Sequence, residues 1–291
     1  MATVKKYHSF LFCCFAIVAF ITFYSCRQAK PRVVNRYFYY WQEEYDLEYH
    51  DSILKFMDGL NARRLYLKML DIDWNEANHA YPVSITSGEY TWNKPRDHWT
   101  NTDILSDIIP VVFITNHTML NVTRDELDTL ARKIIRKCSR VNYKEMQIDC
   151  DWTEQSKEMY FDFLKALKKQ LGAKKLSATI RLYQYKYLSK TGVPPVDKGM
   201  LMIYNVSNVK EYSTANSIFD KSEAQKYIEG VAKYPLPLDF ALPAFAWAVV
   251  YHDDKFSCMM RDIKPITGDT CTFLEKQWPV YKVKYDYVYS I

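Results

Sequence analysis

Glu145-Met-Gln-Ile-Asp-Cys-Asp-Trp-Thr-Glu154 is a short strand pattern that ends in two carboxylates and opens directly into a helix. Successive side chains on a strand point to opposite faces. Met146, Ile148, Cys150 and Trp152 therefore share an apolar face, while Glu145, Gln147, Asp149 and Asp151 share an acidic one. A sheet with its apolar face under helices and carboxylates on the other matches the inside of a parallel barrel near its ligand-binding end. An edge strand with a wet face alternates in the same way, and the helices that flank this segment argue against it.

Working outward, strand and helix patterns alternate through most of the chain. Val33 to Trp41 is rich in the aromatic and branched residues that strands favour, and Leu47 to Leu60 follows with helical spacing. Arg64 to Trp74 is a second strand ending in Asp71-x-Asp73-Trp74, and Ile108 to Asn116 is a third. Between them, Asn75 to Thr102 has no sustained period beyond a short extended run at Tyr81 to Thr86, so it reads as a long excursion carrying Trp92 and Trp99. Thr123-Arg-Asp-Glu126 is a capping box opening a helix to about Cys138. After the acidic strand, Thr153 to Leu171 is a helix with a Lys-rich outer face, which reads as a solvated surface. Strands follow at Lys175 to Leu182, Gly199 to Val206 and Leu238 to Tyr251, the last interrupted at Pro243, and Ser222 to Lys233 is helical. Val280 to Tyr289 is the candidate eighth strand. The alternation predicts an α/β fold, a TIM-type (β/α)8 barrel that is irregular or incomplete at its C-terminal strand. With no Gly-rich phosphate loop after the first strand and only 7 Gly in the chain, a dinucleotide-binding sheet is disfavoured.

The first 26 residues read as export rather than fold. Lys5 and Lys6 precede the apolar run Phe10 to Phe23, too short for a comfortable membrane span, which ends at Ser25-Cys26. That is the pattern of a bacterial lipoprotein signal, with residues 1–25 removed, Cys26 lipidated, 26–33 a basic tether and 34–291 a single barrel domain. An uncleaved anchor or an ordinary cleaved signal are the alternatives. The expected location is the cell envelope, lipid-anchored and facing the periplasm. From Cys26 onward the chain carries 37 Lys and Arg against 34 Asp and Glu, a net of +3, too little for a nucleic-acid groove. The remaining cysteines, Cys138, Cys150, Cys258 and Cys271, form no disulfide scaffold and no zinc spacing. Cys258 with Cys271 is the pair to test for a bridge. No cofactor motif is present.

Several segments carry a resemblance. Gln147-Ile-Asp-Cys-Asp-Trp-Thr153 resembles the strand-four signature of the family 18 glycosidases, the chitinase-like barrels, whose motif is Asp-x-x-Asp-x-Asp-x-Glu. Asp149 and Asp151 fall on its last two aspartates. Met202-Ile-Tyr-Asn205 is similar to that family's strand six, and Tyr37-Phe-Tyr-Tyr-Trp41 to its aromatic first strand. Leu70-Asp-Ile-Asp-Trp-Asn75, Thr179-Ile-Arg-Leu182 and Gly192-Val-Pro-Pro-Val-Asp197 extend a likeness over the whole mature chain to a family of lipoproteins from Bacteroides-like bacteria, which brings no activity with it. The chitinase-like resemblance implies a barrel acting on a glycan. The motif's final Glu, which protonates the leaving sugar oxygen, is replaced by Thr153, and a hydroxyl is no general acid at neutral pH. Glu154 lies one residue late, where a carboxylate in a first helical turn also serves the helix dipole.

The candidate catalytic groups are accordingly Asp149, Asp151 and Glu154. Candidate glycan contacts are Trp41, Asp71, Asp73, Gln147, Arg181, Tyr204, Asn205 and Trp247, with the tryptophans as stacking platforms. Asp71, Asp73, Asp149 and Asp151 cannot all sit ionised in one cleft unaided. One or more must take up a proton, or Arg181 or a divalent cation must neutralise them. Three readings stay open at this point: a sugar-cleaving or sugar-binding cleft, an Asp/Arg network that fixes the barrel mouth, and a cation site.

Overall fold

The computed structural model describes residues 34–41, 56–85, 107–231, 233–252, 254–261 and 281–286. The leader, Cys26, the tether, most of the helix expected from Leu47, the segment with Trp92 and Trp99, and Cys271 lie outside these residues. Within them, eight strands form one sheet: β1 (Phe38–Tyr40), β2 (Arg64–Asn75), β3 (His79–Ile85), β4 (Asp107–Ile114), β5 (Glu145–Asp149), β6 (Lys175–Arg181), β7 (Lys198–Met202) and β8 (Leu238–Ala241). All but β3 are parallel, in the order β1-β2-β4-β5-β6-β7-β8. The helices between them are α1 (Asn116–Asn121), α2 (Leu127–Cys138), α3 (Lys157–Leu171), α4 (Leu182–Lys186), α5 (Leu188–Thr191) and α6 (Lys221–Ile228).

The sheet is curled. β2 and β4 lie between β1 and β5, so a flat sheet, with about 4.8 Å per strand step, would hold Tyr39 and Gln147 about 14 Å apart. Instead the Tyr39 hydroxyl donates to Gln147 Oε1 at 2.5 Å. Lys198 on β7 reaches Tyr66 Oη on β2 at 3.3 Å by the same curvature. Among the described residues no pairing joins β8 to β1, so seven parallel strands make an incomplete barrel.

Two cores follow from the period-2 alternation. Outside, Met146, Ile148, Cys150 and Trp152 of the β5 segment pack with Phe163, Leu164 and Leu167 of α3 and with Leu130 and Ile134 of α2. Inside, Tyr66, Ile109, Val111, Met200, Met202 and Ala241 form a smaller cluster with Tyr37, Tyr39 and Tyr204 against it. The capping box at Thr123 and Glu126 forms as expected and leads into α2.

Three expectations change. The run at Tyr81 belongs to β3, which folds back on β2 as an antiparallel hairpin, so the excursion after Asn75 begins with a strand. The segment from Leu238 to Tyr251 is two strands, because Pro243, which cannot donate to a ladder, sits in a break after β8. Its second half, β9 (Trp247–His252), centres a separate antiparallel sheet with β10 (Lys255–Arg261) and β11 (Tyr281–Asp286). The candidate eighth strand is thus β11, and its antiparallel pairing with β9 takes it out of the barrel. Antiparallel neighbours need only a simple return of the chain, whereas a parallel pairing would need a crossover. No helix among the described residues is long and apolar enough to cross a membrane.

Candidate functional site at the mouth of the half-barrel

The C-terminal ends of β1, β2, β5, β6 and β7 carry the inward-facing polar residues. Asp149 is the last residue of β5 and is 3% exposed. Its Oδ1 accepts from Thr179 Oγ1 at 2.5 Å and from Arg181 Nη2 at 3.4 Å, both presented by β6. Among the described residues, none donates to its Oδ2. Burial pushes the Asp149 carboxyl above the ordinary carboxylate range, against the opposing pull of Arg181 and Thr179. A proton on this acid belongs on Oδ2, since Oδ1 is already accepting two hydrogen bonds.

Arg181 also donates through Nε to Asp151 Oδ1, and Asp151 is half exposed. Burial works against the Arg181 charge, but the two aspartates outweigh it and hold the guanidinium above its usual range. Tyr204, two residues beyond β7, donates its hydroxyl to Met202 Sδ at 3.4 Å, and burial raises that hydroxyl above the usual tyrosine value against the pull of the Arg181 charge. Tyr39 completes the floor. Its hydroxyl rests on Gln147, its ring stacks on Tyr66 at 4.6 Å, and burial raises its pKa well above the usual value.

A β-bulge brings Asp71 to the same face. Lys68 pairs with Val111 and Leu70 with Val112, so Met69 is the extra residue. Met69 and Leu70 both enter the outer core, and Asp71 turns inward opposite Phe113, itself opposite Asp149. Strict alternation from Lys68 would have sent Asp71 outward; bulges re-aim side chains in this way beside sites. Asp71 is paired with Lys68 Nζ at 2.7 Å.

Aromatic rings flank the cluster. Trp41, 36% exposed, stacks on Tyr39 with centroids 5.5 Å apart and planes within 8°. On the other side Tyr204 meets Phe245 at 5.9 Å, and Phe245 meets Trp247 at 5.3 Å. Trp247 reaches the mouth through Phe245 although β9 lies outside the barrel sheet, and its indole N–H donates to Ser217 Oγ.

Three candidates stand apart. Asp73 accepts from the hydroxyl of Thr115, the N-cap of α1, at 2.7 Å and from the backbone N–H of Trp74, and lies 3.3 Å from His117 Nδ1. These donors, the Thr115 hydroxyl first, hold its carboxyl below the usual range. Asp73 thus fastens β2 to α1. Asn205 has φ +55 and is exposed, its backbone N–H bound to Ile218 O. Glu154 is exposed in the turn before α3, and no hydrogen bond or ion pair joins it to Asp149, Asp151 or Arg181. The turn is pinned elsewhere. Thr153 N–H donates to Ser156 Oγ, which donates to Asn116, and Trp152 Nε1 donates to Thr191 O at 2.8 Å.

The sequence pattern alone does not single out Tyr39, Thr179 or Phe245. The first two share strand parity with Trp41 and Arg181, and that parity is the available signal. Cys150 is buried in the outer core, as its alternation implies, and Cys258 lies exposed on β10. Among the described residues no group of three or more His, Cys, Asp or Glu side chains is arranged to hold a metal ion.

No family model matches this chain, and no curated protein sequence matches it. Solved structures similar to it include the chitinase ICChI of Ipomoea carnea, 11% identical over 70% of this chain and 79% of that one, with a TM-score of 0.43. Concanavalin B is 14% identical over 71% and 78%, with a TM-score of 0.42. EndoBT-3987 of Bacteroides thetaiotamicron, solved with a Man5GlcNAc product, is 10% identical over 74% and 57%, with a TM-score of 0.38.

Proposed function

We propose that the mouth of the half-barrel binds a glycan without cleaving it, holding sugar rings against Trp41 and the Phe245–Trp247 pair while Asp151, Arg181 and Tyr204 hydrogen-bond the hydroxyls between them. The arrangement of the carboxyl groups carries this reading. Asp149 is sealed to 3% exposure, Asp151 is committed as an acceptor to Arg181, Glu154 is exposed in the next turn with no bond to either, and Thr153 stands where the chitinase-like motif has its acid. A general acid must reach the leaving oxygen within hydrogen-bond distance. None of these groups stands free to hand over a proton at an exposed position of the mouth. Planar rings beside a charged, hydrogen-bonding floor remain a competent sugar platform.

Affinity electrophoresis against soluble peptidoglycan, chitin-type and N-glycan fragments tests this. Retardation by one of them, without release of reducing ends, is the expected result, and Trp41→Ala together with Trp247→Ala should abolish it. Hydrolysis is the second reading, favoured by the raised pKa of Asp149 and its unpartnered Oδ2. Cleavage that disappears in Asp149→Asn and persists in Glu154→Gln would establish hydrolysis in place of binding.

The export pattern supports placing this protein in the cell envelope on a lipid at Cys26, facing the periplasm. Palmitate labelling that is lost in Cys26→Ala is the expected outcome. A soluble, unlabelled mature protein would reverse it.

A further inference from the structure

We infer that the base of the half-barrel, opposite the mouth, is a docking face for an anionic phospholipid surface. The observation is an excess of cations where two loops meet. The loop after α2 carries Arg140 and Lys144, and the last turn of α2 carries Arg136 and Lys137. The loop after α3 brings Lys174 and Lys175 beside them. Lys175 N–H donates to Lys144 O at 2.9 Å, and Lys174 Nζ sits over the Tyr143 ring at 3.7 Å. Lys169 ends α3 on the same side.

The counter-charge at this end is already paired: Glu145, Asp107 and Asp239 are held by Arg64 and Lys198. The nearby Asp197 is taken by Lys168 at 2.6 Å. Arg136, Arg140, Lys144, Lys169 and Lys175 are all exposed and make no ion pair with any described residue. Cations in the last helical turn also complement the helix dipole, which accounts for Arg136, Lys137 and Lys169. It does not account for Arg140, Lys144 and Lys175, which lie in loops or open a strand. The Lys-rich face of α3 looks like plain solvated surface in the sequence; only the fold sets its end beside the Arg residues of α2.

Two points select a membrane as the partner. First, β1 runs parallel to β2, so Arg36 and Tyr37 enter the sheet at this same end, and the proposed anchor at Cys26 lies only ten residues before Arg36 in the sequence. Second, the described residues of the patch show no exposed aromatic ring for base stacking, the feature that single-stranded nucleic acid needs. The first point rests on the proposed lipid anchor; neither depends on what the mouth binds.

The test is co-sedimentation of the full chain carrying Cys26→Ser with phosphatidylcholine vesicles, with and without phosphatidylglycerol, so that the patch is read without the anchor. Each Lys or Arg near an anionic surface adds about 1 kcal/mol, or roughly fivefold in partition. The phosphatidylglycerol vesicles should bind more strongly, and raised salt should reverse this. Combining Arg136→Gln, Arg140→Gln, Lys144→Gln and Lys175→Gln should lower the phosphatidylglycerol-dependent partition by roughly two to three orders of magnitude. Lys210→Gln with Lys221→Gln, at exposed positions outside the patch, should change it little. Circular dichroism should show all variants folded, because every substituted side chain is exposed. Equal binding to both vesicle types overturns the inference, as does a quadruple variant that binds like its parent. Tighter retention of a single-stranded oligonucleotide than of phosphatidylglycerol vesicles overturns it in favour of nucleic acid.

Discussion

The inner face of β5 carries acidic side chains at both of its ends, and they are treated in opposite ways. At the base, Glu145 is 4% exposed and has an ample set of partners: Lys198 at 3.1 Å, Arg64 at 3.9 Å and the Ser177 hydroxyl at 2.7 Å. Arg64 is also bound to Asp107 and Lys198 to Asp239, so the cluster ties β2, β4, β5, β6, β7 and β8 together inside the curl. At the mouth, Asp149 has to share its cation. One guanidinium, Arg181, serves two carboxyl groups, and one of the two is half exposed. The base is a saturated clamp on a sheet whose described strands do not close on themselves. The mouth is left with hydrogen-bonding capacity that a ligand can use.

Breaking the clamp should give the largest effect. Lys198→Met leaves Glu145 and Asp239 short of a cation, and breaking a largely buried pair costs about 3 kcal/mol, read as a lower urea midpoint. Glycan retardation of the folded fraction should be unchanged. If instead retardation fails while stability holds, the roles of the two ends are reversed. Arg181→Met should cost less, about 1–2 kcal/mol, because a buried Asp149 that has lost its cation can take up a proton rather than remain as a buried charge. That substitution should abolish retardation.

A pH series sharpens the contrast further. The folded-state pKa of Asp149 is raised, so above about pH 4, the ordinary carboxylate value, the unfolded chain gives up a proton that the folded one keeps. Its contribution therefore makes stability fall as pH rises from about 4 until the folded pKa is passed. Asp149→Asn removes that slope while reproducing the shape of the neutral acid. The melting temperature of the variant relative to the parent should climb with pH over this window. A constant difference would mean that Asp149 is ionised throughout. The lowered carboxyl groups Asp73, Glu126, Asp162, Asp197 and Asp220 act in the opposite sense, losing their contribution as pH falls through their folded values, and cancel in the comparison. The smallest effect on stability belongs to Trp41→Ala, within about 0.5 kcal/mol for an exposed ring. Glycan retardation should nonetheless weaken by about two- to tenfold in that variant.

What is legible in the sequence is whatever rests on local period. The two faces of β5, the capping box before α2 and the polar face of β6 all follow from alternation or helical spacing, and the structure repeats them. Pairing partners are not local. The segments that begin at Trp247 and at Tyr281 both have strand composition, but nothing in composition tells a barrel strand from a member of a separate antiparallel sheet. The bulge at Met69 is equally silent, since an extra apolar residue in an apolar run leaves no mark. The clamp at Glu145 is hidden for another reason: its partners, Arg64 and Lys198, lie far off in the chain, and only the curl brings them within reach.

The strict strand order also bears on how this protein comes into being. Apart from the β3 hairpin, each barrel strand pairs with the one that precedes it in the parallel series. As the chain emerges from its N-terminal side, each parallel strand from β2 onward therefore finds a partner already present. Loop closure stays short at each step, and growth can proceed in one direction from β1 to β8. Hydrogen exchange during refolding should then show protection spreading through neighbouring strands, with the clamp forming only when Lys198 and Asp239 arrive.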